Sequence, residues 1–82
     1  MSSQDLKVVY FVRYRGPSAW IVQREGGIRP TSIHPNQRRA EAAAVKLARK
    51  NAPAKVVVYT QDGTLDHEDN VERAKPAQAN GP

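Results

Sequence analysis

Apolar side chains at alternating positions predict two strands near the start of the chain. Residues 7–15 carry a run of β-branched and aromatic side chains, which favours a strand. A Gly-Pro-Ser turn follows, and residues 19–24 again alternate in a way typical of a half-covered strand. The core face of this hairpin is predicted to hold Val12, Tyr14, Trp20 and Val22. The outer face is then predicted to hold Phe11, Arg13, Ile21 and Gln23.

Glycine and proline positions predict a third strand at the edge of the sheet. Glu25, Gly26 and Gly27 form a segment that permits positive φ and therefore a tight reversal. Residues 28–33 are predicted to form the next strand. Pro30 confines that strand to an edge or a bulge, because proline has no N–H to donate.

A helix is predicted to begin after Asn36, whose side chain is a good N-cap acceptor. One helical face, which we expect to lie on the sheet, holds Ala40, Ala44, Leu47 and Ala48. The opposite side holds Arg38, Arg39, Val45, Lys46, Arg49 and Lys50. Pro53 stops the helix, and residues 55–60 predict another strand before an Asp-Gly hairpin turn.

These elements predict an α+β fold, in which a small antiparallel sheet of three to four strands packs against one α-helix in the order βββαβ. A chain of 82 residues allows one compact domain, which we place at residues 7–66. Residues 1–6 are predicted to form a flexible N-terminus. Apolar periodicity ends after Asp66, so residues 67–82 are predicted to be a disordered tail, first acidic and then polar.

Charge is distributed unevenly along the chain. Residues 1–60 contain 11 Lys and Arg against three acidic residues, a balance of +8, whereas residues 61–82 contain two against five, a balance of −3. An excess of basic residues, such as that of residues 1–60, is typical of proteins that bind polyanions. It is equally typical of small proteins whose net charge keeps them soluble. The acidic segment could also fold over the basic surface and compete with a polyanion.

The amino-acid composition narrows the classes of protein to which the chain could belong. The chain has no cysteine, which excludes disulfides and thiolate metal sites and suits a reducing cytosol. No secretory segment and no apolar run of membrane-spanning length is visible, so we expect a cytoplasmic protein without a membrane partner. We expect no enzyme and no cofactor, because no catalytic motif is visible. The acidic run around His67 is expected to be solvated rather than metal-binding.

Several blocks of the chain resemble, in order and spacing, a small bacterial family, the domain of unknown function 2188 family. The blocks are residues 19–26 (AWIVQREG), 32–34 (SIH), 37–49 (QRRAEAAAVKLAR) and 57–63 (VVYTQDG). The resemblance covers residues 10–66 and implies a fold without an activity. The chain departs from the family pattern at Asn36, where a Thr cap is usual, in an extra loop at residues 15–18, and in a longer basic first strand.

A looser resemblance, at the level of fold, is to the arm-type DNA-binding domain of phage integrases. In that domain a three-stranded sheet backed by one helix lies in the major groove of DNA. The resemblance implies DNA contact by the sheet, although the shared features are mainly packing features.

Basic and amide side chains on and beside the predicted elements are the main functional candidates. They are Arg13, Arg15, Gln23, Arg24 and Arg29 near the strands, and Arg38 and Arg39 on the helix. Guanidinium groups bind phosphates and guanine, and a glutamine amide pairs with adenine. Aromatic residues on adjacent strands could stack on unpaired bases, although core packing is their expected role; these are Tyr10, Phe11, Tyr14 and Trp20.

The resulting hypothesis is a small non-enzymatic binding module that contacts nucleic acid, with DNA favoured, through basic residues of the sheet and helix. The alternative is a protein-interaction or homodimerisation domain, in which an exposed strand edge pairs with a partner. A solvated surface without a ligand is the third interpretation of the same charges.

Overall fold

The computed structural model describes residues 8–72 as one sheet backed by one helix. In chain order the elements are β1 (Val8–Gly16), β2 (Ala19–Arg24), β3 (Ser32–His34), α1 (Gln37–Lys50), β4 (Ala54–Tyr59) and β5 (Leu65–Val71). The predicted N-terminal segment at residues 1–6 and residues 73–82 of the predicted tail lie outside the described residues. Within residues 8–72, no helix has the length and apolar character that a bilayer span requires.

The strands form a mixed five-stranded sheet in the order β3-β2-β1-β4-β5. Neighbouring strands pair antiparallel except for β1 and β4, which run parallel at the centre. The α+β class with one helix is confirmed, but the sheet is neither purely antiparallel nor limited to four strands. The cause is topological: α1 carries the chain back across the sheet, so β4 starts in the direction of β1 and inserts beside it.

Both outer strands differ from the sequence-based prediction. The third strand is limited to Ser32–His34, and Ile28 lies in the preceding loop with 93% of its surface exposed. The fifth strand, Leu65–Val71, extends into the segment predicted to begin a disordered tail at residue 67. Most side chains of β5 are exposed, and backbone pairing with β4 holds it in the sheet. Apolar periodicity cannot reveal such a strand, because its side chains bury little surface.

The first hairpin has the predicted register, with Tyr14 opposite Trp20 and Val12 opposite Val22. Its turn and the next one need unusual backbone angles, with a φ of 57° at Ser18 and 85° at Gly26. Glycine adopts the second of these angles without steric cost. The Glu25, Gly26 and Gly27 segment therefore acts as the predicted reversal.

The core lies between α1 and one face of the sheet. The alanine stripe of the helix, Ala40, Ala44 and Ala48, is fully buried at 0% exposure. It packs in one cluster with the largest fully buried side chains of the strands, which are Val12, Val22, Val56 and Val58. Alanine leaves no bulk between helix and strands, so the two layers approach closely.

The helix begins where the sequence predicted. The Oδ1 atom of Asn36 accepts a hydrogen bond from the backbone N–H of Arg39 at 2.9 Å, as an N-cap does. Arg49 and Lys50 complement the dipole in the last turn. Val45, predicted on the outer side, instead packs partly against the core.

Candidate functional site on the open face of the sheet

One face of the sheet carries no helix within residues 8–72, and we call it the open face. Side chains alternate along each strand, so the neighbours of the core residues lie on this side. The strand register assigns to it Val9, Phe11, Arg13, Ile21, Gln23, Ile33, Lys55, Val57, Tyr59, Leu65, Glu68 and Asn70. Every strand contributes at least one of these residues.

An arginine lies over two aromatic rings at the centre of the open face. The Cζ atom of Arg13 is 4.8 Å from the ring centroid of Phe11 and 5.3 Å from that of Tyr59. The two ring centroids are 6.3 Å apart, and the ring planes meet at 32°. Parallel pairing places Val12 opposite Val58, which brings the residues that follow them, Arg13 and Tyr59, side by side. We call Phe11, Arg13 and Tyr59 the aromatic–arginine cluster.

The cluster leaves the polar edge of Arg13 available for a ligand. A cation–π contact uses the flat face of the guanidinium group and not its N–H donors. Among residues 8–72, Arg13 forms no ion pair, whereas Lys55 on the same face pairs with Glu68 at 3.2 Å. Arg13 is exposed, and Arg15 is exposed at the bulge that ends β1. The open face therefore presents uncompensated positive charge.

Some apolar side chains on the open face are buried, and others are exposed. Ile21 and Val57 have only 5% and 7% of their surface exposed, although no helix covers them. Ile33 and Leu65, on the two outer strands, are 57% and 54% exposed. Exposed apolar groups beside a cation are typical of an interaction surface.

Two shallow hollows flank Arg13. The larger, of about 310 Å³, lies where the parallel strands β1 and β4 end and is lined by Arg13, Tyr14, Tyr59, Thr60, Gln61 and Gly63. The smaller, of about 140 Å³, lies towards the second turn and is lined by Phe11, Arg13, Gln23, Arg24, Glu25, Gly26 and Gly27. The carboxyl ends of parallel strands are a common ligand position in α/β sheets.

The structure places the five candidate binding residues predicted near the strands at different positions. Gln23 lies on the open face, but its amide donates to the carbonyl oxygen of Gly27 at 2.7 Å and so supports the turn. Arg24 is opposite Tyr10, a core residue, and is therefore not on the open face. Arg29 lies in the exposed loop before β3. Of the five strand candidates, the strand register places Arg13 and Gln23 on the open face, and Arg15 lies at the bulge where that register shifts.

The helix candidates belong to a different surface. Arg38 and Arg39 are exposed on α1, on the opposite side of the sheet from the open face. Arg38 lines a shallow depression of about 540 Å³ on the helix, together with Glu41, Ala42, Val45, Lys46 and Arg49. Sheet and helix arginines therefore do not form one continuous site.

A second polar cluster joins α1 to β5. His67 Nε2 lies 2.7 Å from Glu41 Oε2 and 3.9 Å from Asp69 Oδ2, and His67 Nδ1 lies 3.3 Å from Asp66 Oδ1. Hydrogen bonds to Glu41 and Asp66 raise the pKa of His67 to about 9. Glu41, His67 and Asp69 could together offer three ligand atoms to a metal ion. Protonated His67 also explains the grouping without a metal, as an ion-pair network.

A shared hydrogen bond affects the two carboxyl groups of this cluster in opposite directions. It raises the pKa of Asp69 and lowers the pKa of Glu41. Burial adds to the rise at Asp69, whose Oδ2 atom is buried.

Sequence reasoning missed Tyr59 as a site residue. Of the four aromatic residues considered for stacking, only Phe11 lies on the open face; Tyr14 and Trp20 form an edge-to-face pair on the covered face, with centroids 5.2 Å apart. Tyr10 is buried and its hydroxyl accepts from Asn51 at 3.0 Å. The partner of Phe11 depends on the β1–β4 pairing, for which the sequence carries no local signal.

A known protein family matches most of the described chain. The profile of a family described as "Uncharacterized protein conserved in bacteria (DUF2188)" matches residues 10–71. The chain belongs to the DUF2188 family. That assignment covers β2, β3, α1, β4, β5 and nearly all of β1, so every residue of the aromatic–arginine cluster lies within the DUF2188 domain.

No curated protein and no solved structure matches the DUF2188 chain. The looser resemblance to phage integrases is therefore not shown. The described sheet also differs in size from the three-stranded sheet of that resemblance, since β4 and β5 add two strands beside β1.

Proposed function

We propose that this DUF2188 protein binds nucleic acid through the open face of its sheet. The observation that carries the proposal is Arg13, held over Phe11 and Tyr59 and without an ion-pair partner among residues 8–72. A guanidinium group with free N–H donors recognises phosphate oxygens and base edges. The +8 balance of residues 1–60 supports the same class of ligand.

The individual roles follow from position. Arg13 would contact a phosphate or a base edge, and Arg15, exposed at the end of the same strand, would contact a neighbouring phosphate. Gln23 would contribute mainly by holding the turn, because its amide already donates to Gly27. We assign Arg38 and Arg39 no direct role at the open face, because α1 lies on the other side of the sheet.

The test is a fluorescence-anisotropy titration of labelled DNA and RNA, as duplexes and as single strands, at about 50 and 200 mM salt. Arg13→Gln removes one charge from the open face, and Arg49→Gln is the matched control that removes one charge from the exposed side of α1. We expect Arg13→Gln to weaken binding about tenfold and Arg49→Gln to change it less than about twofold. Absence of binding at low salt, or equal losses in both variants, would refute the proposal.

A protein partner is the second candidate, and exposure of Ile33 and Leu65 at 57% and 54% favours it. Pairing through a strand edge is less suited to this sheet, because β3 has only three residues and β5 carries charged side chains. Homodimerisation through the open face would instead bury these two apolar groups. Light scattering that shows only monomer across a wide concentration range would remove this homodimer version.

A further inference from the structure

Resting on the proposed function, we infer that the open face takes single-stranded nucleic acid, with unpaired bases stacked on the aromatic–arginine cluster. Phe11 and Tyr59 lie on adjacent central strands and are half-buried, so part of each side chain remains exposed beside Arg13. Unpaired bases stack on aromatic rings and on arginine planes, and both surfaces occur here within about 5 Å of each other.

The width of the sheet favours a single strand over insertion into a duplex. Five strands at a spacing of about 4.8 Å span about 19 Å. The major groove of DNA is only about 12 Å wide and admits a helix or a two-stranded ribbon. The outer strands β3 and β5 therefore prevent the central cluster from reaching base edges in a groove. A single strand lying across the sheet meets no such obstacle.

The hollows on either side of Arg13 give a strand places for its sugar and phosphate groups. Arg13 lines both hollows, so its guanidinium can stack with a base while its N–H donors reach a phosphate in the larger one. Glu25 also lines the smaller hollow, and its negative charge suits a sugar hydroxyl there and not a phosphate. Thr60 and Gln61 add polar groups to the larger hollow. The apolar, exposed Leu65 and Ile33 lie further out and would support bases beyond the cluster.

The experiment compares three labelled probes of about 12 nucleotides, a single strand, its duplex, and an abasic strand that keeps the phosphates but lacks the bases. Tyr59→Leu and Phe11→Leu each remove a ring but keep apolar bulk. Tyr59→Phe keeps the ring, and Arg49→Gln, on the exposed side of α1, is the control away from the open face. Urea denaturation of every variant, followed by Trp20 fluorescence, establishes that it is folded.

We expect the single strand to bind at least about tenfold more tightly than the duplex or the abasic strand. The two ring deletions should weaken single-strand binding about 5- to 100-fold, whereas Tyr59→Phe and Arg49→Gln should change it less than about twofold. If Phe11→Leu does not fold, the comparison of Tyr59→Leu with Tyr59→Phe decides the question alone.

Two other results separate this inference from the function on which it rests. Equal affinity for duplex and single strand, or for abasic and base-containing strands, overturns stacking and leaves nucleic-acid binding in place. Absence of binding to all three probes at low salt overturns both.

Discussion

Replacing His67 with glutamine should reduce the stability of the fold in a pH-dependent way. The carboxylates that face the imidazole are Glu41 from α1 and Asp66 and Asp69 from β5, and hydrogen bonds to Glu41 and Asp66 raise its pKa from 6.5 to about 9. In a site without water this rise would correspond to about 3 kcal/mol. Solvent screens the pair strongly, because 42% of the His67 side chain is exposed, so we expect about 0.5–1 kcal/mol.

The direction of the effect follows from proton binding. The folded protein holds the His67 proton more tightly than the unfolded chain, so the stabilisation is fully present below pH 6.5 and is lost as the pH rises through about 9. Urea denaturation of the unaltered protein and of His67→Gln should therefore differ by about 0.5–1 kcal/mol at about pH 6 and by almost nothing at about pH 9.5.

Asn36→Ala is the control for this prediction. It removes the cap of the same helix but no titratable group. The stability change that it causes should therefore be the same at both pH values. A His67→Gln difference that is constant with pH, or larger at high pH, would show that the α1–β5 cluster does not hold a protonated imidazole.

Three further substitutions test the fold by denaturation. Asn36→Ala should cost about 1 kcal/mol of unfolding free energy, because it removes the acceptor for the N–H of the first helical turn; an unchanged denaturation midpoint would contradict the cap. Gly26→Ala should lower the unfolding free energy by about 1 kcal/mol, because the φ of 85° strains any residue with a side chain. Gly16→Ala should leave it nearly unchanged, since no atom lies within 4 Å of the added Cβ. Ala44→Leu should lower the unfolding free energy by about 1–3 kcal/mol, because it overpacks a fully buried site. Ala42→Leu, on the exposed side of α1, should not lower it. Equal losses in the two variants would show that the buried face of the helix has been assigned incorrectly.

Local sequence patterns predict the helix and most of the strands of this fold. The features that they do not predict depend on pairing between strands that are distant in the chain. The register of the first hairpin follows from the alternation around Trp20 and Val22, and the helix start follows from Asn36. These signals act within a few residues and are therefore visible in the sequence. The insertion of β4 beside β1 depends on the whole crossover, for which no short segment is diagnostic.

The candidate site was predictable in chemistry but not in geometry. Arg13 and Phe11 could be assigned to the outer face because they alternate with core residues in one hairpin. Tyr59 joins them only through the parallel pairing, 48 positions after Phe11 in the chain. Arg38 and Arg39 have the same chemistry as Arg13, but the helix holds them on the other side of the sheet. Residue type alone therefore groups side chains that the fold separates.

The parallel β1–β4 pair also divides the molecule into two parts that differ in how they can form. The segment from β1 to β3 and the β4–β5 hairpin each consist of local antiparallel pairs, whereas Val8 and Ala54, opposite each other across the central pair, are 46 positions apart. Bringing residues that are so distant in the chain together costs more chain entropy than closing a local turn. We therefore expect the central pair to form late, with α1 docking across both parts. Folding kinetics of Val58→Ala should then show mainly faster unfolding, and mainly slower folding would show that the central pair forms early.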